Sequence, residues 1–125
     1  MNCAELAQGV ALFNRRQFFE AHEVLEDVWR AAPAEQKKYF QGLVQTAVAL
    51  HHFSTGNRIG MRSVLERAMR NLEDCTAEFH GVNVALLRKS AAEWLVAFDA
   101  ADPLPPLPRM EMVIEAEGVR QNRGI

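Results

Sequence analysis

The sequence predicts an all-α fold: a compact bundle of about five helices with an extended, proline-containing C-terminal tail. Three observations carry this. The stretch Tyr39–Phe53, YFQGLVQTAVALHHF, holds no formally charged residue and no proline, and it is apolar nearly all round a helical wheel. A helix of that kind has to be covered on all sides, so it reads as the centre of the bundle. Four further segments repeat apolar residues at helical spacing and are separated by glycine, proline or asparagine. A shift of 40 residues aligns Phe13 with Phe53, Val24 with Val64, Leu25 with Leu65 and Glu26 with Glu66. Helices one–two and three–four therefore read as similar hairpins. A period near 40 lies in the range of helical repeats, which keeps a tetratricopeptide-like peptide-binding scaffold among the alternatives.

Taken in order, Ala4–Phe13 forms a first helix, with Leu6, Val10 and Phe13 along one face. Asn14–Arg16 is a break. Gln17–Arg30 forms the second helix, whose apolar face is Phe18, Ala21, Leu25, Val28 and Trp29. Glu20, Glu23 and Asp27 turn outward. A link containing Pro33 opens the third helix, since proline costs nothing where the first N–H groups lack partners. That helix runs to about Thr55, where Gly56 suits a left-handed C-cap and Asn57 an N-cap. Helix four, Arg58 to about Asp74, faces inward with Met61, Leu65, Ala68, Met69 and Leu72. Its arginines 58, 62, 67 and 70 read as a solvated face. Cys75–Val82 reads as a loop with an exposed His80. Asn83 caps helix five, Val84 to about Ala101, whose inward set is Leu87, Ala91, Trp94, Leu95 and Phe98. PLPPLP, residues 103–108, then ends helical structure and favours an extended conformation. It holds two overlapping PxxP patterns, but a tail packed on its own bundle is the preferred reading. Met110–Ile114 reads as a strand, or as a segment draped over a groove or a partner subunit. Residues 118–125 read as frayed.

Length and charge set bounds. With 125 residues the chain suits one domain, read here as residues 1–117. The net charge of −2 gives no strong field to draw in nucleic acid or an acidic membrane. No stretch offers the roughly 20 mostly apolar residues of a membrane span, and Glu5 argues against a signal peptide. Cys3 and Cys75 stand far apart and outside any CxxC pair, so reduced thiols and a cytoplasmic location are expected.

The candidate site comes from the wheels. In helix three, Gln41, Gln45, Val48 and His52 lie opposite the face of Tyr39, Leu43, Thr46, Ala47 and Leu50. In helix two, His22 falls within the apolar face and Glu26 lies four residues on at its edge, so the two can meet. A short link makes the two helices antiparallel neighbours. The predicted inner set is His22, Glu26 and Gln45 with Gln41 and His52, walled by Trp29. Three readings compete. The first is a buried hydrogen-bond network that fixes helix register, because each unpaired buried polar group costs roughly 1–3 kcal/mol. The second is a hydrolase or metal site using His22 and Glu26. EAHE is not HExxH, however, and the ligand count falls short of a closed site. The third is a pocket for a small polar ligand or peptide. No cofactor is predicted. The apolar residues 110–114 motivate a homodimer.

Taken together, FNRRQFFEAHEVLEDVW and YFQGLVQTAVALHHFSTGNRIGMRSVLERA resemble the domain of unknown function 309 family. The matching positions are Phe13, Asn14, the Glu20–Glu23 EAHE, Leu25, Glu26, Trp29, Gln41, Gly42, Gln45, Ala49, His52, Gly56, Asn57, Gly60 and Leu65, within a core of about 13–72. The family pattern often has glycine after the first asparagine, where this chain has Arg15 and Arg16. The resemblance implies a compact all-helical prokaryotic protein and assigns no activity. It overlaps the polar set drawn from the wheels.

Overall fold

Helical spacing becomes helical structure along most of the chain. The computed structural model describes residues 3–75 and 77–112. It shows α1 (Cys3–Asn14), α2 (Phe18–Ala31), a 3-10 turn (Ala34–Gln36), α3 (Lys37–Ser54), α4 (Arg58–Leu72) and α5 (Val84–Asp99). The fold is all-α apart from a hairpin of β1 (Glu78–Phe79) and β2 (Val82–Asn83). Among the described residues, no helix is long and apolar enough to cross a membrane. Contacts divide the chain into two compact units, one ending at Asp74 and one beginning at Cys75.

In the first unit each helix packs on the next: α1 on α2, α2 on α3 and α3 on α4. The buried set is Leu6, Val10 and Phe13 on α1, Phe18, Ala21, Leu25 and Val28 on α2, Phe40, Leu43, Ala47 and Leu50 on α3, and Met61, Leu65, Ala68 and Leu72 on α4. Two close helix approaches depend on missing side chains. A Cβ on Gly9 would lie 2.7 Å from Leu25, and one on Gly42 would lie 2.6 Å from Leu72. The hydroxyl of buried Thr46 donates to the Gly42 carbonyl at 2.8 Å, which satisfies it within its own helix.

The C-termini of α1, α3 and α5 follow one plan. After α3, Gly56 has φ of +87°, its N–H donates to the Phe53 carbonyl, and the Asn57 N–H donates to that of His52. This is a Schellman cap. The same pair of bonds closes α1, from Arg16 to Phe13 and Gln17 to Leu12, with Arg16 at φ of +68°. It closes α5 as well, from Ala101 to Phe98 and Asp102 to Ala97, with Ala101 at φ of +57°. At the N-termini, Asn57 accepts from the Gly60 N–H and Asn83 from the Leu86 N–H, as expected of caps.

The second unit departs from the sequence reading at 78–82. The expected loop folds into the hairpin, with Glu78 opposite Asn83 and Phe79 opposite Val82. His80 and Gly81 turn it with φ of +49° and +88°, the double positive φ that a two-residue I′ turn requires. On α5, Leu87, Ala91 and Trp94 are buried, and the Trp94 ring stacks on Phe98. Beyond the prolines, Met112 bridges antiparallel to Val82, the Glu111 carbonyl accepts from the Asn83 N–H at 2.8 Å, and Met110 is fully buried. Met110 and Met112 thus have places within the chain, which removes them from the argument for a homodimer. Val113, Ile114 and the end expected to be frayed, 118–125, lie outside the described residues.

Candidate aromatic and imidazole face of α2 and α3

Residues 19, 22, 26 and 30 recur at steps of three, four and four along α2, so Phe19, His22, Glu26 and Arg30 form one strip. Antiparallel packing lays the first half of this strip beside the last turns of α3. The Phe19 ring sits 5.6 Å from that of His22 and 5.4 Å from that of His51. Phe19 bridges two imidazoles from two helices while remaining 48% exposed. The adjacent His51 and His52 rings are 6.4 Å apart. Among the described residues, the rings of His22 and His51 have no hydrogen-bond partner.

The predicted inner set does not form one network. His22 Nε2 lies 4.0 Å from Glu26 Oε1, too far for a hydrogen bond. Glu26 instead receives Arg30 at 3.2 Å, and Arg30 also reaches Asp27 at 3.0 Å. Gln45 turns away from α2: its Oε1 accepts from Asn71 of α4 at 2.8 Å. Gln41 is exposed. His52 serves the α3–α4 turn. The Gly60 N–H holds Asn57 Oδ1 at 2.8 Å, so the Asn57 amide group faces His52 Nδ1 at 3.3 Å. Nδ1 then accepts, which places the ring proton on Nε2.

Trp29 closes the far end of α2. Lys37 Nζ donates to the Trp29 and Arg30 carbonyls at 2.6 and 3.0 Å, capping the helix C-terminus, and lies 4.9 Å from the Trp29 ring centroid. The Trp29 indole N–H is buried with no hydrogen-bond partner among the described residues. The polar set is therefore divided among four places because α3 is covered by α2 on one side and α4 on the other. Among the described residues, no three His, Cys, Asp or Glu side chains come together as a metal site.

Sequence reasoning missed Phe19, His51 and Asn71. Phe19 had a signal: neighbours on a helix point about 100° apart, so Phe18 and Phe19 cannot both enter one core. His51 and Asn71 had none, because their roles depend on which helix lies alongside.

These features define a class: a small all-α protein of consecutive antiparallel helices, with an open aromatic and imidazole face near one end of the α2–α3 pair. Residues 6–64, from α1 into α4, match the family described as Domain of unknown function (DUF309). Phe19, His22, Glu26 and His51 all fall within that span. The chain is 32% identical over 106 residues to an uncharacterized protein of Aquifex aeolicus (strain VF5), covering 84% of this chain and 31% of that protein. It is 37% identical over 59 residues to the uncharacterized protein YpuF of Bacillus subtilis (strain 168), covering 46% of this chain and 34% of that protein. The chain thus spans about a third of the length of these relatives.

Proposed function

We propose that the chain is a non-enzymatic helical interaction module whose recognition face is the Phe19, His22, Glu26 and His51 patch. The observation that carries this reading is Phe19, a large apolar ring half in solvent and wedged between two imidazoles. Aromatic side chains held this way are the usual energetic centres of binding surfaces. Two packed helices supply a rigid frame, which limits the ordering cost of binding. The imidazoles offer ring nitrogens at the rim, and Glu26 offers a carboxylate already steadied by Arg30. A short peptide with one flat apolar side chain and flanking polar groups suits this arrangement.

Backbone-amide NMR of the full chain, titrated with a library of short peptides, tests the proposal. Binders are expected to shift the amides around Phe19, His22 and His51. Phe19→Ser, folded by circular dichroism, is expected to weaken them by about 30-fold, the equivalent of about 2 kcal/mol for an aromatic anchor. Shifts centred elsewhere, or equal binding by the variant, would refute it.

A further inference from the structure

We infer that the acidic outer strip of α2 and the arginine-rich outer face of α4 are mating surfaces, through which one copy of the chain binds the next. α2 carries four carboxylates, Glu20, Glu23, Glu26 and Asp27, against one arginine, a formal charge of −3. α4 carries four arginines, at 58, 62, 67 and 70, against Glu66, a formal charge of +3. The chain as a whole is only −2, so the opposite charges are sorted onto separate helices rather than interspersed. Glu20, Glu23 and Asp27 are exposed on the strip next to the Phe19 patch, and Arg58, Arg67 and Arg70 are exposed on α4.

α3 packs against both α2 and α4 and separates them, so the two faces cannot neutralise each other within one copy. They match in length as well. Helices of 14 and 15 residues run about 21 and 22 Å at the usual rise. α4 adds an apolar contact point, since Ile59 is 85% exposed in its first turn.

A contact between two different faces is head-to-tail, so each copy keeps one face of each sign for a further neighbour. A second copy fits α4 better than a polyanion does. Glu66 sits among the arginines, 3.2 Å from Arg62 and 3.8 Å from Arg70, where a phosphate chain would meet a carboxylate. The α2 strip supplies cation partners for Glu66 only through Arg30, but carboxylates for Arg62, Arg67 and Arg70, the arginines that lie with Glu66 on the side of α4 away from its buried residues. The inference goes beyond the binding patch and does not rest on it.

Sedimentation velocity on the full chain tests it, with two charge-reversed variants, E23K/D27K and R62E/R67E, checked for folding by circular dichroism. The wild type is expected to associate at low salt. That association should weaken at least tenfold as the Debye length falls from about 30 Å at 0.01 M to about 3 Å at 1 M. Each variant alone is expected to stay monomeric. Their equimolar mixture is expected to form dimers, because it restores one intact acidic face against one intact basic face. A monomeric wild type, variants that associate like the wild type, or a monomeric mixture would each overturn the inference. A monomeric wild type whose Arg62 and Arg67 bind a short DNA duplex would overturn it in favour of a polyanion.

Discussion

Arg16→Gly is expected to stabilise the protein, although it removes a charged side chain and adds a flexible residue. Arg16 holds the left-handed position of the cap on α1, at φ of +68°. An L-residue pays roughly 1–2 kcal/mol for that conformation, because its Cβ crowds the following carbonyl. Glycine avoids this cost but gains freedom in the unfolded chain, which returns about 0.4–1 kcal/mol. The side chain adds little to the balance: Arg16 is exposed, with no polar partner among the described residues. The net expectation is a gain of about 0.5–1 kcal/mol. For a chain of this size that corresponds to a melting temperature higher by about 2–5 °C. The cap bonds from Arg16 to Phe13 and from Gln17 to Leu12 are backbone bonds and survive the change.

Gly56→Ala is the matched control. It occupies the same position after α3 at φ of +87°, and an added Cβ would meet nothing within 4 Å. Any loss is then torsional, and about 0.5–1 kcal/mol is expected in the opposite direction. Urea unfolding followed by far-ultraviolet circular dichroism reads both variants. A neutral or destabilised Arg16→Gly, beside a destabilised Gly56→Ala, would show that the Arg16 side chain contributes something absent from this account.

Three further outcomes follow from individual contacts. Asn57→Ala removes the cap on the Gly60 N–H and the partner of His52, and should cost about 1 kcal/mol in chemical denaturation; an unchanged midpoint would show that the cap is idle. Gly42→Ala puts a Cβ 2.6 Å from Leu72 and 3.3 Å from the Ala68 carbonyl oxygen, forcing α3 and α4 apart, and a loss of about 1–3 kcal/mol is expected on thermal melting. Lys38 donates to Asp74 at 2.9 Å, and this hydrogen bond, with the carboxylate's charge, raises its pKa above 10.5. A raised pKa means the pair's contribution is complete below the unfolded value and is lost as the pH climbs through the folded one. The stability difference between wild type and Lys38→Met should therefore close above pH 10.5, and a difference that persists or widens there would contradict the assignment.

The helices were legible because period and punctuation agree. The apolar faces of α1, α2 and α4 follow the helical repeat, and Gly56, Asn57 and Asn83 mark ends where structure places the caps. Two caps were hidden because Arg16 and Ala101 occupy a conformation that glycine signals and they do not. The hairpin was hidden for the same reason, since His80–Gly81 lacks the usual asparagine or aspartate at its first turn position. The site was legible by face but not by neighbour. A helical wheel places Gln45 and His51 on different sides of α3, but only tertiary packing assigns Gln45 to Asn71 and His51 to Phe19. The predicted meeting of His22 with Gln45 assumed that α3 turns its amides toward α2. The buried apolar residues of both helices take that interface instead.

The ratio of dissociation constants for Phe19→Ser and wild type, measured with the tightest peptide found by NMR, bears most directly on the role proposed for the α2–α3 face. An exposed aromatic anchor held between two imidazoles predicts a ratio of about 30, with both proteins equally folded. A ratio near one would mean that the ring lies beside the binding surface rather than at its centre.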